Sequence, residues 1–199
     1  MQHSTINPQV MFYSTGGTYT ALEKALGSNA TANLIAVERF TEVPEMEGGL
    51  VKTLTPKLHA GLLGERSNPA HQQYLATMGG GVFFDLLVNN LYPFGTVIAE
   101  PGATFEHARG NIDIGGPAML RAGAKNHHSC AVLVDPADYQ TFLVDLRKNG
   151  GVTTLAQRFA LAGKVFDHTA RYDRAIADHL AGVDPRAMKA EYESRGLII

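Results

Sequence analysis

Cysteine is nearly missing from this chain: Cys130 is the one instance in 199 residues. That count excludes a disulfide framework and a thiolate-rich metal site. Cys130 opens the run Cys130-Ala131-Val132-Leu133-Val134, which reads as a buried strand where a thiol is inert filler. An excess of one charge is missing too, since 17 Lys and Arg stand against 19 Asp and Glu for a net charge of −2. Without a broad basic field, wrapping of nucleic acid through phosphate neutralisation is excluded, while individual lysines can still meet a small anion. No apolar run approaches the length of roughly 20 residues that a bilayer-spanning helix needs, and no basic-then-apolar leader opens the chain. The expected setting is cytoplasmic, with neither a membrane nor a nucleic-acid partner. Internal repeats and low-complexity tracts are also lacking.

What remains is an ordinary globular composition, 45% apolar and 18% charged. The length suits one domain with a real core, or one domain plus an appendage. Short apolar runs alternate with helical patterns, which predicts an α/β fold with a mainly parallel sheet between helices. Expected strands are Val10–Tyr13, Leu34–Val37, Leu58–Leu62, Asp85–Asn89 and Ala131–Val134. Expected helices are Gly17–Leu26, Ala70–Met78, Thr104–Asn111, Pro117–Lys125 and Ala137–Asn149, the last with Asp135 as cap and Pro136 in its first turn. A long helix is expected from Thr153 to about Leu180, docked through Leu155, Phe159, Ala162, Phe166 and Ala170. The division is an α/β domain over 9–150, this helix over 151–182 and a tail over 183–199, open between an extra helix, a partner contact and a loose end.

Four stretches have the residue types that chemistry needs. In Ser14-Thr15-Gly16-Gly17-Thr18, a strand, a Gly-Gly turn and a helix start at Thr18 would aim free N–H groups and a hydroxyl at an anion. A plain strand-to-helix turn accounts for it equally well, because it lacks both the P-loop lysine and the dinucleotide glycine spacing. Lys52 and Thr53 follow Gly48-Gly49 in a loop, a pairing that suits a phosphate or a developing oxyanion; a solvated lysine is the competing reading. In Asn89-Asn90-Leu91-Tyr92-Pro93 an apolar strand ends in amides and a phenol, at the sheet edge where α/β folds place their ligands; a capped turn would look the same. In Asn111-Ile112-Asp113-Ile114-Gly115-Gly116-Pro117, Asp113 precedes a helix N-terminus whose dipole favours its charge. Lys125 falls about two helical turns after Pro117, so it shares a ligand with Asp113 only if the chain folds back or the helix ends early. His127-His128 has no spaced carboxylate to complete a metal site.

Read in order, STGGT, VPEMEGGLVKTLTPKLHAGLL, NNLYPF, NIDIGGPAMLRAGAKN, VDPADY and FDHTARYDRAIADHL resemble the IMP cyclohydrolase domain of the bifunctional purine biosynthesis protein, from roughly Tyr13 to Leu180. The resemblance implies the three-layer α/β/α fold of methylglyoxal synthase with a long C-terminal helix. It also implies ring closure of 5-formamidoimidazole-4-carboxamide ribonucleotide to IMP, with no metal or organic cofactor. Carried over by motif, Asp113 would be the base or the orienter of the carboxamide. Lys125 would donate protons to the formyl oxygen, supported by Lys52 and Tyr92. Thr15, Gly16, Gly17, Thr18 and Thr53 would hold the phosphate, and Asn90, Ile114 and Gly115 would face the imidazole carboxamide.

The chain departs from the family pattern in several places. The family opens with an additional strand–loop–helix unit before STGGT, and Met1–Pro8 shows none. Leu50 stands where the family has arginine, and Thr55 where it has histidine. The formyltransferase half does not follow, so a separate formyltransferase protein is an expected partner. A homodimer is expected as well, because an unpaired sheet edge invites pairing. Two other readings stand beside the cyclohydrolase: a catalytically impaired purine-nucleotide-binding or regulatory module of the same fold, and another enzyme of this fold acting on a small phosphate ester.

Overall fold

A computed structural model describes residues 10–44 and 46–197. The reading of Met1–Pro8 lies outside the described residues. Strand β1 (Phe12–Ser14) leads into helix α1 (Gly16–Leu26), then α2 (Ala30–Asn33), β2 (Leu34–Ala36) and α3 (Val37–Thr41). After a loop come α4 (Pro56–Leu63), α5 (Pro69–Ala76), β3 (Leu86–Val88), α6 (Phe94–Ile98), α7 (Phe105–Gly110) and α8 (Gly115–Lys125). The chain continues with β4 (Ala131–Leu133), α9 (Tyr139–Lys148), the long α10 (Leu155–Gly182) and α11 (Pro185–Ser194).

The fold is α/β with short parallel sheets. Among the described residues β1 pairs with β2, with Tyr13 opposite Ile35, and β3 pairs with β4, with Leu87 opposite Val132. The two ladders are separate, each of two strands. Rings bridge them: Tyr13 on β1 meets Phe84, just before β3, edge-on at 5.4 Å between centroids. The β4 strand is buried along its length, as expected where helices cover both faces. One face, through Val132 and Val134, packs with Leu120 and Ala124 of α8, Leu62 of α4 and Val165 of α10. The other, through Ala131 and Leu133, packs on Phe142 of α9.

Three expectations need correction. Leu58–Leu62 is not a strand but the heart of α4. Thr55 caps that helix by accepting from Leu58 N, and Pro56 sits in its first turn. A short apolar run cannot tell strand from helix by itself; the buried residues Leu58, Gly61 and Leu62 have the 3–4 spacing of one helical face. Val37 likewise begins α3 rather than ending a strand. The docking stripe of α10 is rotated from the expected one. Ala162, Val165 and Thr169 are buried, while Phe159 is 65% exposed and Leu155 is 56% exposed. Small and β-branched residues let the helix approach α8 and β4 closely. The phenyl rings are pushed to the flanks, where Phe159 meets His127 edge-on at 5.3 Å and Phe166 lies under the Arg121 guanidinium at 5.4 Å.

The tail forms α11, the extra-helix alternative. Asp184 caps it through Arg186 N, and Glu191 receives the amide N–H groups of Phe105 (3.2 Å) and Glu106 (3.3 Å) at the start of α7. The long helix is fixed at its own start by a capping box between Thr154 and Gln157. Further along, Lys164 reaches Asp135 and Asp138 at 2.8 Å each, tying α10 to the turn after β4.

Candidate active site

The site forms where the carboxyl ends of β1 and β3 meet the amino ends of α1 and α8. After β1, Thr15 is the cap residue and Gly16 opens the helix with φ +50°. The helix thus begins one residue before the expected Gly17–Leu26, and Thr18, read as a helix start, lies inside its first turn. Thr15, Gly17 and Thr18 present the free N–H end of an eleven-residue helix. Lys52 is brought to this end: a Cβ on Gly16 would lie 3.8 Å from its Nζ. Its neighbour Thr53 reaches the second helix, because a Cβ on Gly115 would collide with the Thr53 hydroxyl. Lys52-Thr53 therefore stands between two helix amino termini, those of α1 and α8.

Asp113 lies next to this corner. One carboxylate oxygen accepts from Gly116 N at 2.8 Å, capping α8. The same carboxyl group crowds Gly116: a Cβ there would strike an Asp113 oxygen, come within 2.7 Å of Leu91 Cδ2 and within 2.9 Å of Asn89 Nδ2. Only glycine allows this approach. The backbone N–H of Asp113 donates to the Tyr172 hydroxyl of α10 at 2.9 Å. Ile114 is 64% exposed, so its side chain turns outward beside the helix start.

The third group follows β3. The amide of Asn90 accepts from the Tyr139 hydroxyl at 2.9 Å. Tyr92 is exposed, held in a tight turn by Phe94 N donating to its carbonyl at 2.8 Å. Asn90 and Tyr92 line an open cavity of about 520 Å³ with His168, Arg171 and Tyr172 from α10. Burial pushes the Tyr172 phenol up; the amide of Asp113 opposes this, and the charges of Asp113 and Asp173 and the nearby Tyr92 add to it. That phenol stays neutral and can both donate and accept.

Lys125 is not brought to this group. The α8 helix is unbroken to its last residue, Lys125, so neither route that would fold it back toward Asp113 is taken. It follows Gly116 by about two and a half turns, which sends its side chain off the face opposite Asp113 and Asn89. It shares that exposed outer face with Arg121.

One residue of the site, Tyr172, escaped the sequence reading, which includes Asn89 in its motif without a role of its own. Asn89, rather than Asn90, lies beside Asp113 at Gly116, and its Nδ2 is buried without a hydrogen-bond partner among the described residues. Alternation along β3 was the available signal, since consecutive strand residues face opposite sides. Tyr172 continues the buried face of α10 by three residues beyond Thr169, a signal visible only once the helix rotation is known.

Comparison with known proteins bears on the family of the chain. A family model described as AICARFT/IMPCHase bienzyme matches residues 123–196. The bifunctional purine biosynthesis protein PurH of Chlorobium phaeobacteroides (strain BS1) is 50% identical over 172 residues, which cover 86% of this chain and 32% of that protein. PurH of Pelodictyon phaeoclathratiforme (strain DSM 5477 / BU-1) is 49% identical over 173 residues, 87% of this chain and 32% of its own. The chain thus spans about a third of the length of the curated relatives it matches. The crystal structure of ForH superposes with a TM-score of 0.68 at 35% identity, covering 84% of each chain. With motifs, fold and these relatives in agreement, the chain belongs to the AICARFT/IMPCHase family, over the part that resembles its IMP cyclohydrolase domain.

Proposed function

We propose that the chain acts in purine biosynthesis as an IMP cyclohydrolase. The observation that carries this is the corner at Lys52-Thr53, where the amino ends of α1 and α8 meet beside Asp113. Two helix dipoles and an ammonium favour a phosphate there. The carboxylate on the far side of Gly116 supplies a base within a nucleotide's length. Relatives named as bifunctional purine biosynthesis proteins support the same reading.

In the reaction, the carboxamide nitrogen of the substrate attacks the formyl carbon. That nitrogen gives up one proton, the formamide nitrogen gives up another, and the formyl oxygen leaves with both as water. An amide nitrogen is a poor nucleophile, so proton removal must accompany attack. Asp113 takes that proton or orients the carboxamide, with the Asn89 amide beside it, and Asn90 faces the carboxamide from the cavity. Thr15, Gly16, Gly17, Thr18 and Thr53 hold the phosphate end. Gly115 and the backbone at Ile114 face the imidazole. Motif and geometry divide over the proton donor: the motif points to Lys125, which α8 carries away from Asp113, and with Lys52 committed to the phosphate corner Tyr92 is the remaining candidate. Ring closure also needs a formylated substrate, supplied by a formyltransferase activity outside these 199 residues. The exposed Leu86 and Val88 of β3 suit pairing of two copies, which light scattering measures.

Conversion of the formylated nucleotide to IMP, followed by absorbance, is the test. The parent chain should turn over, Asp113→Asn should lose at least roughly a hundredfold in kcat, and Lys52→Ala should raise KM at least roughly tenfold. Comparing Lys125→Ala decides whether a second amine joins. The distance of Lys125 from Asp113 favours one other reading, a purine-nucleotide-binding module without catalysis. Tight IMP binding with no turnover would select it.

A further inference from the structure

We infer that Tyr172 is a positioning residue that sets Asp113 for the reaction, an inference that rests on the cyclohydrolase reading. Its hydroxyl meets the segment before α8 at two points, accepting from Asp113 N at 2.9 Å and donating to Asn111 O at 3.4 Å. Its ring stands edge-on to Phe94, centroids 6.3 Å apart, and Phe94 is 1% exposed. Phe94 in turn holds the Tyr92 turn through its N–H. One phenol therefore joins the two segments that carry Asp113 and Tyr92, and it does so from α10, whose Ala162, Val165 and Thr169 are buried a few residues earlier.

The geometry makes the hydroxyl hard to replace. Asp113 is held by its side chain at Gly116 N and by its backbone at Tyr172. Without the hydroxyl, a partly buried N–H has no acceptor and the 111–113 segment loses its outer anchor. The carboxylate then pivots about the Gly116 bond, in a pocket where Leu91 and Asn89 leave little slack. Burial keeps the phenol protonated, so one oxygen can accept from Asp113 while donating to Asn111.

Tyr172→Phe separates positioning from packing because it keeps the ring. The expected result is a fall in kcat of roughly tenfold to a hundredfold from misplacement alone, with KM for the nucleotide within about threefold. Amide exchange at Asp113 should speed up at least about tenfold while exchange in β4 is unchanged. In the parent chain, the Asp113 amide should already exchange as slowly as those of α8, a measurement that stands even where the variant fails to fold. An unprotected Asp113 amide in the parent overturns the inference. So does unchanged exchange at Asp113 in the variant, or a joint collapse of KM, kcat and thermal midpoint. A parent that never turns substrate over sinks the cyclohydrolase reading instead, and the exchange results still decide whether Tyr172 holds Asp113.

Discussion

Gly116 is the residue on which the site's compactness depends. A side chain there has no room beside Asp113, Leu91 and Asn89. Gly116→Ala should cost about 1–3 kcal/mol from overpacking and displace the carboxylate. Thermal unfolding and turnover together check it: the thermal midpoint falls modestly, while kcat drops at least about tenfold. Cys130 gives the opposite kind of prediction. Burial, with Asp85 adding to it, pushes its thiol up to about 12. The native chain should therefore resist alkylation by iodoacetamide near neutral pH, and label should appear only on denaturation. At this scale much was readable in advance. Cys130 as inert filler and Asp113 before a helix start follow from side-chain chemistry and local turn rules. Tyr172 was not readable, because it depends on which way α10 is rotated once packed, and alternation along β3 separates Asn89 from Asn90 without saying which of them faces the site.

At the scale of elements, caps mark several boundaries well. Asp135 accepts from Ala137 N at 2.9 Å, as the Asp-Pro pair implied. Thr154 and Gln157 close the start of α10. Thr154→Ala should cost about 1 kcal/mol, read as a fall of roughly 2–4 °C in the thermal midpoint for a domain of this size. The misread element, α4, failed for an intelligible reason. Its Thr-Pro start is a helix signal, but the three apolar residues Leu58, Ala60 and Leu62 alternate as in a short strand. Only packing of Leu62 against α8 and β4 decides between them.

The contact between α11 and α7 carries a pH dependence. Partial burial raises the Glu191 carboxyl, but the amide N–H groups of Phe105 and Glu106, with Arg195 and Thr104, outweigh it and hold it below the usual carboxylate range. A depressed acid stabilises docking above its unfolded value and loses that contribution as pH falls through the folded one. Protection of the amides over residues 185–194, relative to their intrinsic exchange at each pH, should thus fall below roughly pH 4, and Glu191→Gln should flatten the dependence. Equal protection from neutral to strongly acidic pH would contradict this.

At the scale of the whole molecule, the α/β class and the long C-terminal helix were legible from alternating apolar runs. That the parallel strands form two pairs was not, since strand count says nothing of which edges meet. The same limit applied to the site. Four motifs were visible, and the structure joins them through Gly16 with Lys52, Thr53 with Gly115, and Gly116 with Asn89 and Leu91. Lys125 stands apart because an unbroken α8 carries it away. The central claim is that the corner at Lys52-Thr53 is the phosphate end of one nucleotide site. Calorimetric titration with IMP and with inosine, which lacks the phosphate, tests it most directly. The account predicts that IMP binds at least about a hundredfold more tightly, a difference of roughly 2.8 kcal/mol, and that Lys52→Ala removes most of that gap. Equal affinity for the two, or a gap untouched by Lys52→Ala, would contradict it.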